Sequence, residues 1–326
     1  MTPGPGAAPP APNGGGLSVG VVIPAFNAAP FIADALGSLQ RQTFAGWRAV
    51  VVDDGSTDAT ADIVAGFAGP RISLLRQANQ GAAAARNHGV AAIDAEALLF
   101  LDADDWLAEN ALERLATALA RAPEAVACSG PHLFVTSAAR PGRPVAARAG
   151  GPAPSGRLLD RLLRGNLFTS GGHVLVRAGA FRAAGGYRPG LVFGEDYELW
   201  VRLALLGPFS AVPGVAPLLY VRRPPTGAFR SMAHDPSAII PCLDAIFANP
   251  GVIAHLGPRL GPARVRAEAE NAWIVGRELL RQGRLGEGRA ALRRSLAMAP
   301  GLKRLLLAVA AQVWPGGVAA FRPYAD

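Results

Sequence analysis

The chain has 326 residues, 50% of them hydrophobic, enough for a substantial core in one large domain or two ordinary ones. Two cysteines, Cys128 and Cys242, exclude a disulfide framework and lack metal-ligand spacing, so they read as reduced, buried thiols of a cytoplasmic protein. The net charge is +8, and most of the excess is local: between Arg259 and Arg304 eleven Lys/Arg stand against four Asp/Glu.

Residues 1–16 are rich in Pro and Gly, with no basic n-region and no apolar h-region, and read as a disordered tail, not a signal peptide. An alternating pattern follows. Residues 17–24 form an apolar, β-branched run, and 30–40 an amphipathic helix that starts near a proline. Residues 47–52 are a second strand, 58–67 a helix, 71–75 a strand, 81–93 a helix, 97–101 a fourth strand and 108–121 a fourth helix. Apolar strands separated by helices of this length mean βαβ units and a mostly parallel sheet, with ligands bound beyond the carboxyl ends of its strands. Asn27, Asp53, Asp54 and Asp102 all fall at such ends.

Residues 141–156 read as a mobile loop, a candidate lid. Residues 157–164 look helical, 173–176 extended, 195–206 helical and 216–222 extended. From about Asp235 the pattern is helical, with 273–282 and 285–297 as a hairpin joined at Gly283. The expected division is a tail over 1–16, an α/β domain over 17–230 and a C-terminal helical section over 231–326.

The densest chemistry follows the run Leu98-Leu99-Phe100-Leu101. Asp102, Asp104 and Asp105 put three carboxylates into four residues. If the strand geometry persists, Asp102 and Asp104 face the same side, and such a pair suits a hard cation with oxygen ligands, Mn²⁺ or Mg²⁺. The competing reading is a cap on the helix expected next, but one aspartate would suffice for that.

Five motifs in order make the chain resemble the family 2 glycosyltransferases. They are Val21-Val22-Ile23-Pro24-Ala25-Phe26-Asn27, Val52-Asp53-Asp54-Gly55-Ser56-Thr57-Asp58, Asn79-Gln80-Gly81 with Ala85-Arg86-Asn87, Leu101-Asp102-Ala103-Asp104-Asp105, and Gly194-Glu195-Asp196-Tyr197-Glu198-Leu199-Trp200. The resemblance implies a GT-A fold, a Rossmann-like, mostly parallel sheet flanked by helices. It also implies inverting transfer from a nucleotide-sugar donor, UDP-linked as the commoner case, with a divalent cation.

By the same resemblance Pro24, Ala25 and Asn27 lie at the nucleotide end. Asp53 or Asp54, with Asp54 preferred, accepts from the uracil edge, and Arg86 sits near the base or phosphates. Asp102 contacts ribose or metal, Asp104 ligates the metal, and Asp105 caps or supports. Asp196 is the general base, and Trp200 is either an acceptor wall or a core aromatic.

One departure stands out. Many relatives carry a histidine after the next strand, where this chain has Tyr220-Val221-Arg222-Arg223-Pro224-Pro225-Thr226. His234 lies ten residues on, and His173 reads as a satisfied structural histidine. Arg222 or Arg223 is the expected substitute against the diphosphate, since arginine forks suit phosphate.

A nucleotidyltransferase would carry a basic, Gly-rich loop where Pro24-Ala25-Phe26-Asn27 stands. A catalytically inactive scaffold would not need Asp102, Asp104 and Asp196. Expected acceptors are a glycan, a lipid-linked oligosaccharide or a protein. The basic C-terminal section has few aromatics for base stacking, so no nucleic acid is expected. Two readings of it stand: peripheral contact with an anionic membrane through the apolar stretch 305–313 and Trp314, or a helical cap whose apolar face is buried on its own domain.

Overall fold

The computed structural model describes residues 17–142, 148–223 and 237–313. The alternating half runs β1 (Val19–Ala25), α1 (Ile32–Gln40), β2 (Trp47–Asp53), α2 (Thr60–Phe67), β3 (Ile72–Arg76), α3 (Ala82–Ala91) and β4 (Ala97–Phe100). Then come β5 (Trp106–Leu107), α4 (Ala111–Ala120), β6 (Ala127–Ser129), β7 (His132–Thr136), β8 (Arg148–Ala149) and α5 (Leu159–Leu162). Next are β9 (Val174–Arg177), α6 (Ala178–Ala183), α7 (Glu195–Leu206), β10 (Phe209–Ala211) and β11 (Leu219–Arg223). Five helices follow: α8 (Ile240–Phe247), α9 (Pro250–Leu256), α10 (Leu260–Arg281), α11 (Leu285–Met298) and α12 (Leu302–Val313).

Seven strands form the main sheet in the order β10-β6-β9-β4-β1-β2-β3. β1 pairs in parallel with both β2 and β4, and β2 with β3, so the expected βαβ core is present. β4 is buried along its length, and Leu98, Leu99, Phe100 and Leu101 have almost no exposed surface. Each such side chain contributes about 1.5–3 kcal/mol on leaving water. β9 departs from the parallel pattern, running antiparallel between β4 and β6.

A second sheet, β5-β11-β7-β8, lies outside the βαβ reading. It corrects two expectations. Trp106 and Leu107 are strand, and the helix after them starts only at Ala111 with Asn110 before it, so neither Asp104 nor Asp105 caps it. The proposed lid, 141–156, is in part strand β8, which pairs antiparallel with β7; residues 143–147 lie outside the described residues.

The chain divides into two compact units. The first holds both sheets, with Phe168–Gly190 and Arg202–Arg222. The second takes Leu159–Leu167, Leu191–Val201 and the helices after β11. In the second unit Trp273, Leu280, Leu292, Ala308 and Ala311 form a small core. Gly283, with φ of 79°, makes the turn between α10 and α11 expected from sequence. Among the described residues no single helix is long and apolar enough to cross a membrane.

Arg222 gives the first unit an unexpected buried cation. Its side chain is fully enclosed, 2.7 Å from Asp34, and it donates to the carbonyls of Asp104 and Ala139. Its guanidinium lies over the rings of Phe31 and Trp106, 4.8 and 4.7 Å from their centroids. The expectation that Arg222 neutralises a diphosphate is therefore corrected: its side chain is enclosed and both terminal nitrogens bond within the fold. Arg222→Met leaves Asp34 without its buried partner and should cost roughly 3 kcal/mol, read as a lower urea midpoint.

Candidate active site

Because β1, β2 and β4 are parallel neighbours, their carboxyl ends share one edge of the sheet. Ala25 stands opposite Asp53 in register, and the Ala25 carbonyl accepts from the Asp54 amide at 2.8 Å. Pro24 is half-buried and Ala25 buried, so they floor this edge. Asn27 is exposed, and its φ of 48° is the only left-handed non-glycine value among the described residues. Its Oδ1 accepts from the Thr57 amide at 2.8 Å, and its own amide donates to Ser56 Oγ at 3.0 Å. The loops after β1 and β2 are thereby tied together.

Both strand-end aspartates of β2 are buried. Asp53 Oδ1 accepts from the Ser56 amide at 3.0 Å, and Oδ2 lies 3.3 Å from the Arg76 guanidinium. Asp54 accepts from Gln77 Nε2, the Gln80 amide and the Gly81 amide at 2.7, 2.9 and 2.8 Å. It pins the loop into α3 while keeping capacity for about one more donor, since a carboxylate offers about four acceptor positions.

After β4 the strand geometry does not persist. The Asp102 carbonyl accepts from the Asp105 amide at 3.1 Å, which closes a turn over the aspartates. The alternation argument for Asp102 and Asp104 thus fails. What brings them together is the turn, and their mutual charge is felt: burial, and then the charge of Asp102, push the Asp104 carboxyl up to about 6. Asp105, buried below, is raised well above its ordinary value by burial and by both neighbours. It accepts the Arg222 amide at 2.8 Å, which ties this turn to β11.

Asp102 is held from two sides. Arg86 Nη2 donates to Oδ1 at 2.8 Å, and Ser170 Oγ donates to Oδ2 at 3.0 Å. Arg86 is neither solvated nor free to meet a base: it is buried, with its guanidinium 5.1 Å from the Tyr187 ring centroid. Ser170 has no signal in the sequence. It reaches Asp102 because the next residue is glycine: a Cβ at Gly171 would stand 2.8 Å from the Phe100 carbonyl oxygen.

His173 is structural, as expected. It is buried, Nδ1–H donates to the Gly130 carbonyl at 2.8 Å, and burial pulls its imidazole down to about 3. His234 and the Arg223 side chain lie outside the described residues.

Asp196 sits in the first turn of α7, within the second unit. The turn before it is fixed from three directions. Gly194, with φ of 80°, leaves no room for a Cβ, which would fall 2.8 Å from Cys242 Sγ. The Cys242 thiol points at the Gly194 carbonyl at 3.2 Å, Phe193 packs on Val275 and Leu279, and Tyr197 Oη donates to the Leu162 carbonyl at 2.6 Å. Trp200 is fully buried and belongs to the core.

The turn after β4 offers hard oxygen donors, with three carboxylates in four residues and Arg86 paired to one of them, which fit a divalent cation. Among the described residues no group of three or more His, Cys, Asp or Glu is gathered to hold one. A cation here would take only Asp104 and Asp102 from the chain and complete its shell elsewhere. Protons compete with it at a carboxyl that titrates near 6. Mn²⁺ affinity, measured with nucleotide present, should be level above pH 7 and fall about tenfold per pH unit below 6.

The family model described as Glycosyl transferase family 2 matches residues 20–183, half of the chain. The chain belongs to this family. A stretch of 114 residues is 32% identical to the putative glycosyltransferase EpsH of Bacillus subtilis, covering 34% of this chain and 33% of EpsH. Another of 97 residues is 39% identical to WfgD of Escherichia coli, a UDP-Glc:alpha-D-GlcNAc-diphosphoundecaprenol beta-1,3-glucosyltransferase, covering 29% of this chain and 38% of WfgD. The chain thus spans about a third of the length of these curated relatives.

Among solved structures, the mannosyltransferase PcManGT of Pyrobaculum calidifontis, in complex with GDP-Man and Mn²⁺, aligns with a TM-score of 0.61 at 20% identity. The alignment covers 96% of this chain and 84% of that one. Staphylococcus aureus TarS 1–349 with UDP-GlcNAc aligns at 0.55 and 18% identity, over 86% and 89% of the two chains. These likenesses establish the GT-A fold of this family 2 glycosyltransferase.

Proposed function

We propose that this glycosyltransferase moves a sugar from a nucleoside diphosphate, UDP in the first instance, to a hydroxyl of a glycan, lipid-linked or protein acceptor, with inversion. The observation that carries this reading is the anionic turn after β4. There Arg86 and Ser170 orient Asp102, and Asp104 is left with a carboxyl titrating near 6. Carboxylates crowded in this way, two half-buried above the buried Asp105, cost stability, and a cationic ligand offsets the cost.

Pro24, Ala25, Asn27 and Asp53 form the nucleoside end, and Asp54 uses its remaining acceptor position for a base N–H. Arg86 is a positioning residue that acts through Asp102, whose carboxylate faces ribose and diphosphate. Asp104 and Asp102 would hold Mn²⁺ or Mg²⁺, which supplies positive charge against the leaving diphosphate. Asp196 accepts the proton of the acceptor hydroxyl as its oxygen bonds to the anomeric carbon and the bond to the diphosphate oxygen breaks. One displacement inverts the configuration, by the logic known from inverting glycosidases.

The donors of the structural neighbours, UDP-GlcNAc and GDP-Man, and the lipid-linked acceptor in the name of WfgD support the substrate classes. A thermal-shift screen of nucleotide sugars with Mn²⁺ tests the reading, because a bound donor raises the melting temperature by mass action. At least one donor should raise it, and EDTA should abolish the rise.

A further inference from the structure

The last described helix leaves a broad apolar face uncovered. α12 packs on α10 and α11 through Ala308 and Ala311, which join the core of Trp273, Leu280 and Leu292, and through the half-buried Leu307. Its other large side chains face away from that core: Leu302, Leu305, Leu306, Val309 and Val313 are between 47% and 79% exposed. Their spacing of three, four, seven and eleven positions puts all five on one stripe, about 100° wide, along the whole helix. The expected burial of this apolar face on its own domain is therefore not what the described residues do.

The charge carried by the helix itself is all of one sign. α12 contains Lys303 and Arg304 and no acidic residue. Arg304 is turned inward to Glu270, 2.7 Å away, while Lys303 is exposed. Arg289 of α11 donates to the Ala311 carbonyl at 2.8 Å, which places this edge of α11 alongside α12. Arg293 is one turn further along the same face of α11, exposed and without an acidic partner among the described residues. A leucine-rich stripe rimmed by cations matches the interface of an anionic bilayer, with apolar chains below and negative headgroups beside them. A second copy of the chain fits less well, because a two-fold contact would bring like-charged rims together.

We infer that α12 is a docking surface for anionic lipid, its leucines entering the interface and Lys303, Arg289 and Arg293 meeting headgroups. The inference stands apart from the proposed reaction, since it uses none of the site residues. The two native cysteines are buried, so a Leu306→Cys variant of the full chain can be labelled with a hydrophilic maleimide at one place.

Labelling should be fast in buffer, at least about tenfold slower with phosphatidylcholine–phosphatidylglycerol vesicles, and fast again at high salt. The pair Lys303→Gln and Arg293→Gln should weaken vesicle co-sedimentation roughly thirtyfold, with nucleotide binding unchanged. Equal protection by phosphatidylcholine alone overturns the inference. So does labelling already slow in buffer: slowness that grows with protein concentration means a second copy covers the stripe, and slowness independent of it means residues 314–326 do.

Discussion

Asp104→Ala should abolish cation-dependent donor binding, and Asp104→Asn should at the same time make the metal-free protein more stable. The second result is the unusual one. A carboxyl raised from 3.8 to about 6 is a group the fold would rather keep protonated. The folded state binds more protons than the unfolded one between those values, so stability falls as pH rises through that window and stays lower above it. Asn keeps the shape and removes the charge. Its variant should gain on the order of 1–3 kcal/mol at pH 7, with no gain near pH 3. Thermal melts in EDTA across pH check this, and calorimetric titration with Mn²⁺ and nucleotide checks the loss of binding. A carboxylate kept for structure would give the opposite pattern, lower stability with binding intact.

Asp196→Asn should keep donor affinity and lose turnover by a factor of about 10²–10⁴, the usual share of a general base. The substitution is nearly isosteric, and the turn before it is held by Gly194, Cys242 and Tyr197, so the helix start should survive. Binding and chemistry then separate cleanly: kcat falls while the donor's apparent affinity is unchanged. Wild-type turnover at saturating acceptor would assign the proton to another group.

The parallel core was legible because its strands are continuous apolar runs bounded by turn residues, the pattern of strands covered on both faces. β1 to β4 fall within two residues of their expected limits. The rest of the main sheet is short. Ala127–Ser129 and Phe209–Ala211 have three residues each, with no alternation to read, and are strands only because distant segments pair with them. Residues 173–176 read as extended, but nothing in four residues shows that β9 runs against its neighbours.

The site divides in the same way. Carboxylates at strand ends were visible, because a buried run that ends in three acids needs an explanation. The contacts that orient them were not: the resemblance puts Arg86 near the base or phosphates and Ser170 carries no signal, and they stand 16 and 68 positions from Asp102 and meet it only in the fold. Arg222 misled because an arginine at the end of a strand, where relatives carry a histidine, looks like a phosphate ligand. Its burial depends on Phe31, Asp34 and Trp106, which no local window contains.

The central claim is that the turn holding Asp102 and Asp104 takes a cation and a nucleotide sugar whose glycosyl group then leaves with inversion. It is tested most directly by incubating the full chain with a panel of UDP- and GDP-sugars and Mn²⁺, following release of the nucleoside diphosphate, and reading the anomer first formed by proton NMR. The account predicts release from at least one donor, abolished by EDTA and by Asp104→Ala, with the product anomer opposite to that of the donor. Release that persists in EDTA, or a product that keeps the donor's configuration, would contradict it.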